Sequence, residues 1–180
     1  ESYPPGLPLV FAAVYKIAGF DLVAFKAAII LLFAGSLYLF GLLLARRLLP
    51  ASVLFAVAIV GLNPYFWDIK EALVSHIPFL FWTLLALFLI DRLYHRSDGL
   101  DVRGATLAVL IGITMLMSMI TRSVGIAIPA ALGLFDLWER KKWYPSWRVL
   151  IPFFVFALLF VLQRAQLPAG STSNYFAAAL

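Results

Sequence analysis

The side chains best suited to chemistry in this 180-residue chain lie in one polar cluster between two long apolar runs. The cluster occupies the stretch Asn63–Phe81 and contains two carboxylates, a lysine, a serine and a histidine: Asp68, Glu71, Lys70, Ser75 and His76. A carboxylate in such a cluster can accept a proton from an acceptor hydroxyl, and the ammonium group of a lysine can bind a phosphate. A solvated turn between two membrane spans has the same composition, so the cluster leaves both interpretations open.

Arg122 is the most informative single residue, because it interrupts an apolar region in the short sequence Thr121-Arg122-Ser123. A guanidinium group near a bilayer is costly unless it reaches water, the interface or an anion. Its planar fork matches a phosphate, and the start of the following helix would add backbone N–H groups. Arg122 therefore either reaches lipid headgroups or binds the phosphate of a lipid-borne substrate.

Several other chemistries lack their residues or motifs. The chain has no cysteine, which excludes disulfides, thiolate metal sites and cysteine nucleophiles. Its two histidines, His76 and His95, are expected on opposite sides of the membrane, so no metal site is predicted. No nucleophile-elbow, P-loop or dinucleotide motif occurs. The net charge of +5 is typical of basic membrane loops, and we expect no nucleic-acid partner.

The elements that must position these residues are predicted from composition. The chain is 64% hydrophobic and 13% charged, whereas a soluble domain carries about 25% charged residues. Backbone groups in lipid must pair within their own segment, which favours helices. The sequence therefore predicts an all-α membrane protein. We expect a single domain over residues 1–180, built as a bundle of about six transmembrane helices plus an N-terminal interfacial helix.

The apolar runs set the predicted boundaries. Residues 1–21 are expected to form an entrance turn and the interfacial helix Leu7–Phe20, which at about 1.5 Å per residue is too short to cross a core of about 30 Å. Residues 22–163 hold the six spans, and residues 164–180 are predicted to form an exoplasmic loop. The spans are predicted at Leu22–Ala45, Ala51–Trp67, Ile77–Arg92, Gly104–Ile120, Val124–Trp138 and Val149–Gln163.

The charges in the loops predict the orientation. Basic residues crowd one side of the predicted bundle: Arg46, Arg47, Arg92, Arg96, Arg103, Arg140, Lys141, Lys142 and Arg148. The other side holds fewer: Lys16, Lys26, Lys70, Arg122 and Arg164. The positive-inside rule places the first group in the cytoplasm. The polar cluster, the Arg122 turn and the N-terminal prolines then share the exoplasmic face. We expect a multi-pass protein of the plasma (inner) membrane of a prokaryote.

Three short motifs in order carry a resemblance to a known family. They are Tyr3-Pro4-Pro5-Gly6-Leu7-Pro8-Leu9 before a short apolar helix, Asn63-Pro64-Tyr65-Phe66-Trp67 through Ser75-His76-Ile77-Pro78-Phe79, and Thr121-Arg122-Ser123-Val124-Gly125 before Pro129. Over residues 1–140 this order resembles the GT-C-type membrane glycosyltransferases, which include protein O-mannosyltransferase-like and aminoarabinose-transferase-like enzymes.

The resemblance implies a substrate and a site. The donor would be a polyprenyl-phosphate-linked sugar on the exoplasmic side, with membrane lipid as a partner, no certain cofactor and an unspecified acceptor. Arg122 and Lys70 would face the donor phosphate. The residues implied to line the site are Tyr3, Pro4, Pro5, Asp68, Glu71, Ser75, His76, Thr121 and Ser123.

The chain also departs from the family. The acidic catalytic residue of the family lies before the segment that corresponds to residue 1, so we expect an excerpt of a longer chain that does not catalyse transfer alone. His76 stands where the family usually has Asp or Glu, and we assign it no metal or base role. Two alternatives are a transporter fragment and a non-catalytic assembly subunit. Transporters tend to place ionisable groups near the midplane and to repeat internally, and neither feature is visible here.

Overall fold

The computed structural model describes residues 5–65, 74–95, 101–141 and 145–166. Regular secondary structure within these ranges is entirely helical, as the composition predicts. The helices are α1 (Gly6–Ala18), α2 (Leu22–Leu44), α3 (Pro50–Gly61), α4 (His76–Tyr94), α5 (Val102–Thr121), α6 (Ala127–Arg140) and α7 (Trp147–Gln166), with a 3₁₀ helix at Ser123–Ile126.

Four of these helices are long and apolar enough to cross a membrane: Leu22–Leu44, His76–Tyr94, Val102–Thr121 and Trp147–Ala165. Their bounds lie within three residues of the predicted ones. The predicted spans Ala51–Trp67 and Val124–Trp138 correspond to the shorter helices α3, of 12 residues, and α6, of 14 residues. At about 1.5 Å per residue these two helices are shorter than a core of about 30 Å. The number of six spans therefore stays a prediction.

Local residues explain where the helices begin and end. Asp21 accepts a hydrogen bond from the Val23 N–H at 2.8 Å and caps α2, and Asp101 accepts one from the Gly104 N–H at 2.7 Å and caps α5. Such side chains satisfy N–H groups that a helix start leaves unpaired. Helix α1 ends at Gly19, whose φ of 69° lies in the left-handed region that favours glycine.

Contacts between the helices show their relative directions. Helices α2 and α4 are parallel, because two contacts join them in the same order along the sequence. A side chain at Gly35 would meet Phe81, and further on Arg46 forms an ion pair with Asp91. Helix α5 returns from the end of α4 and packs along it. The start of α4 and the end of α5 therefore lie at the same end of the bundle.

Helices α5 and α7 are also parallel. A side chain at Gly104 would lie 3.0 Å from the Trp147 ring, and one at Gly112 would lie 2.7 Å from the Pro152 carbonyl oxygen and 2.8 Å from Val155 Cβ. Small residues permit such close helix contacts, as is common in membrane bundles. The parallel pairs α2/α4 and α5/α7 have the relative directions expected of a chain that crosses a membrane back and forth.

The core is centred on α5. Its apolar cluster joins buried residues of the four helices α4 to α7: Ala86, Ile90, Leu93, Ala108, Ile111, Met115, Ile128, Leu132 and Val149. A second cluster of Ile29, Phe33 and Ile77 packs with Leu7 and Phe11, and it fixes α1 against α2. Large apolar side chains remain exposed on the outer faces of the helices, as expected of surfaces that contact lipid.

Candidate functional site

The start of α1 packs directly on the end of α5. Gly6 is buried, and a Cβ atom there would lie 2.6 Å from Thr121 Cα and 2.7 Å from Thr121 N. Both are backbone atoms, so no rotamer change can make room for a side chain. The preceding residue, Pro5, is half-buried. The glycine after the two prolines therefore brings the N-terminal entrance segment to the Arg122 turn.

The segment from Thr121 to Gly125 forms a tight reversal. Thr121 is the last residue of α5, it is fully buried, and its hydroxyl donates to the Met117 carbonyl at 2.6 Å. Arg122 then leaves the helix with an extended backbone, at φ −151° and ψ 136°. A Cβ atom at Gly125 would lie 2.5 Å from Met119 N, so only glycine lets the chain return so close to α5.

This reversal holds the Arg122 side chain over the first turn of α4. The Arg122 Cζ atom lies 5.9 Å from the centroid of the Phe79 ring, within the range of a cation–π contact. His76 precedes Phe79 by three residues in the same first turn of α4. A contact with a ring face occupies no hydrogen-bond acceptor, so the N–H donors of the guanidinium remain able to bind an anion.

The start of α4 completes the group. His76 is exposed and Ser75 is half-buried, and the Ser75 hydroxyl makes no capping hydrogen bond to α4. The Ser75 carbonyl accepts from the Phe79 N–H at 3.1 Å. The polar side chains at this helix start therefore face the same end of the bundle as Arg122.

Six of the predicted site residues are thus gathered at the ends of α1, α4 and α5: Pro5, Ser75, His76, Thr121, Arg122 and Ser123. Ser123 is exposed and begins the 3₁₀ helix. Thr121 differs from the others, because it lies beneath the surface and supports α1 and the turn. The remaining predicted residues lie outside the described ranges: Tyr3, Pro4, Asp68, Lys70 and Glu71. The role of Lys70 at the donor phosphate stays a prediction.

Metal-ligating residues are not clustered at this site. Within the described ranges, no three His, Asp or Glu side chains lie together in a way that would hold a metal ion. The chemistry available to the described residues is the binding of an anion by Arg122, with the backbone N–H groups at the start of the 3₁₀ helix beside it.

The sequence analysis missed a buried polar network at the opposite end of the bundle. Asp136 of α6 is fully buried, and its carboxylate accepts from the Tyr94 hydroxyl at 2.7 Å, the Ser146 hydroxyl at 2.7 Å and the Ser146 N–H at 2.9 Å. Arg148 lies 5.3 Å from the centroid of the Tyr94 ring. The signal was available, because a lone carboxylate within a predicted span is rare and has a specific partner.

Comparison of the chain with protein-family models, with curated proteins and with solved structures finds no match. The functional interpretation therefore depends on the sequence motifs and on the geometry of the residues gathered around Arg122.

Proposed function

We propose that this chain is the membrane core of a glycosyltransferase that transfers a sugar from a polyprenyl-phosphate-linked donor to an acceptor on the exoplasmic side. One observation carries the proposal. The Arg122 guanidinium lies over the Phe79 ring at the helix ends where Gly6 meets Thr121. All three motifs of the family resemblance therefore contribute residues to one small region.

The region has the electrostatics of a phosphate site. A guanidinium binds a phosphate through two parallel, charge-assisted hydrogen bonds. In the 3₁₀ helix at Ser123–Ile126 the Gly125 N–H bonds to the Arg122 carbonyl at 2.8 Å, so only the N–H groups of Ser123 and Val124 precede the first helical bond. Arg122, Ser123 and the start of α4 would thus hold the donor phosphate near the membrane surface.

The reaction assigns Arg122 one role. The acceptor hydroxyl attacks the anomeric carbon of the sugar, the bond to the phosphate oxygen breaks, and negative charge develops on the leaving phosphate. A fixed cation next to that oxygen stabilises the transition state more than the ground state. In the family that the chain resembles, an acidic residue accepts the proton of the attacking hydroxyl.

The proposed arrangement in the membrane has six spans in a prokaryotic plasma membrane, with the Arg122 site on the exoplasmic side. It is supported by the distribution of charge. Three cations of the basic group, Arg46, Arg92 and Arg103, lie at the ends of α2 and α4 and at the start of α5. Arg122 follows the opposite end of α5.

Donor binding tests the proposal with the chain as it stands. The chain is reconstituted in nanodiscs and titrated with a polyprenyl-phosphate-linked hexose, and binding to Arg122→Ala is compared with binding to the unmodified chain. Loss of a charge-assisted hydrogen bond of about 1.5–3 kcal/mol predicts an affinity that is about 10- to 100-fold weaker.

A matched control is Arg164→Ala. Arg164 lies in the last turn of α7, at the same end of the bundle, and its Cζ atom is 5.3 Å from the centroid of the Phe160 ring. This variant removes the same charge and the same type of ring contact, so we expect nearly unchanged binding.

Equal donor affinity of the Arg122→Ala and unmodified chains would contradict the proposal that Arg122 binds the donor phosphate. A transporter or an assembly subunit need not recognise such a donor, so failure of the unmodified chain to bind would remove the proposal as a whole. In an assay of sugar transfer, Arg122→Ala should also lose most of the activity while the protein still inserts into the membrane.

A further inference from the structure

A second polar region lies at the basic end of the bundle, opposite Arg122. A pocket of about 470 Å³ opens there between the ends of α2 and α4 and the first turns of α5. The residues that line it combine cations with apolar side chains: Arg46, Phe88, Leu89, Arg92, His95 and Leu107.

The polar part of the pocket has more positive than negative charge. Arg46 forms an ion pair with Asp91, and Arg92 lies with its Cζ atom 5.1 Å from the Phe88 ring centroid. The His95 Nδ1–H group donates to the Asp91 carbonyl at 2.7 Å and lies 3.4 Å from the Asp91 carboxylate. The residues that line the pocket thus include two guanidinium groups and no carboxylate, and Asp91 pairs with one of the two.

The apolar part lies deeper along the helices. Arg46 follows the end of α2, and Arg92 and His95 lie at the end of α4. Phe88 precedes Arg92 by one helical turn, and Leu107 lies five residues inside α5. The pocket therefore changes from cationic at its outer edge to apolar within, along the direction that leads from the membrane surface into the hydrocarbon core.

We propose that this pocket binds the headgroup of an anionic phospholipid, with the phosphate between Arg46 and Arg92 and the upper acyl chain against Phe88, Leu89 and Leu107. Basic pockets between transmembrane helices at the cytoplasmic surface suit anionic headgroups. The apolar wall favours a lipid over a soluble phosphate, because only a lipid brings hydrocarbon to that wall. The site does not depend on the glycosyltransferase assignment, since it lies at the other end of the bundle.

Lipid binding to the delipidated full chain tests the proposal. Native mass spectrometry in detergent compares phosphatidylglycerol with phosphatidylcholine, and glycerol 3-phosphate serves as the soluble phosphate. We expect a preference for phosphatidylglycerol that Arg46→Gln and Arg92→Gln each reduce about fivefold, and the double variant about 25-fold.

The matched control removes two neighbouring charges outside the pocket. Arg47 and Arg103 are exposed cations near the same membrane surface, and neither lines the pocket. The Arg47→Gln/Arg103→Gln variant has the same net charge as the double pocket variant. It should keep at least half of the phosphatidylglycerol preference.

A variant that is expected to increase the affinity for lipid distinguishes lipid binding from a merely structural ion pair. Asp91→Asn removes the carboxylate that competes for Arg46, so we expect phosphatidylglycerol to bind about fivefold more tightly. A purely structural pair would give unchanged or weaker binding, and that result would overturn the proposal.

Three further results would also overturn it. They are equal retention of the two lipids by the unmodified chain, equal losses in the pocket and control double variants, and binding of glycerol 3-phosphate that depends on Arg46 and Arg92. The comparison of the two lipids needs no mutation, so the proposal can fail even if a variant does not fold.

Discussion

The hydrogen bonds that Asp136 accepts from Tyr94 and Ser146 join α4, α6 and the start of α7. Their contribution to stability can be measured. Tyr94→Phe removes one hydroxyl and leaves the ring in place. That hydroxyl donates to Asp136 Oδ1 at 2.7 Å, and the carboxylate has no exposure to solvent. The variant therefore removes the Tyr94 hydrogen bond from a buried carboxylate and leaves the hydrogen bonds from Ser146 in place.

The magnitude follows from the burial of the two groups. A hydrogen bond to a charged group contributes about 1.5–3 kcal/mol. Tyr94 is half-buried, so water can replace part of the lost bond, which places the expected effect near the lower value. We expect Tyr94→Phe to lower the free energy of unfolding by about 1.5 kcal/mol.

The structure also predicts coupling between Tyr94 and Ser146. Both hydroxyls donate to the same Asp136 oxygen, and Ser146 precedes α7, where its carbonyl accepts from the Val149 N–H at 3.0 Å. The carboxylate thus also lies at a helix N-terminus, which favours negative charge. A double-mutant cycle of Tyr94→Phe and Ser146→Ala should give a coupling energy of about 0.5–3 kcal/mol.

Unfolding in mixed micelles, followed by circular dichroism as a denaturing detergent is added, measures these energies. Tyr38→Phe is the matched control, because Tyr38 of α2 is 68% exposed and should lose less than about 0.5 kcal/mol. If Tyr94→Phe and Tyr38→Phe lower the free energy of unfolding equally, the hydrogen bond from Tyr94 to Asp136 does not stabilise the packing of these helices.

Two further predictions concern packing between helices. Gly6→Ala should displace α1 and cost about 1–3 kcal/mol, whereas Gly41→Ala, whose Cβ atom would lie 3.5 Å from its nearest neighbour, should be neutral or stabilising. Equal thermal stabilities of these two variants would contradict the close contact of α1 with α5. Thr83→Val removes a 3.2 Å hydrogen bond to Ser118 between α4 and α5 and should cost about 0.6 kcal/mol. Thr106→Val is its control, because the Thr106 hydroxyl donates to the Val102 carbonyl within α5. An equal loss there would show that the bond between the helices contributes nothing of its own.

The amino-acid sequence by itself determined the helical class and the bounds of the four long helices. A backbone in lipid has no water to bond, so apolar length and composition decide the helix. Local signals set the ends, such as Gly19 after α1 and Asp101 before α5. These are properties of neighbouring residues, and they need no knowledge of the rest of the chain.

The same patterns did not predict the irregular helix start that follows Arg122. The span predicted from Val124 contains a 3₁₀ turn before α6 begins at Ala127. Gly125 lies against the backbone of α5, and this packing contact is invisible in an apolar run.

Only the tertiary structure decided which residues of the different helices are neighbours. Tyr94 and Asp136 are 42 residues apart in the chain, and Arg122 reaches Phe79 through the packing of α5 on α4. The rotation of each helix about its own axis selects such pairs, and that rotation is set by close contacts such as Gly6 on Thr121. Hydropathy and loop charge depend on how each segment partitions between lipid and water, so they can place a residue at one end of the bundle but cannot choose its neighbour.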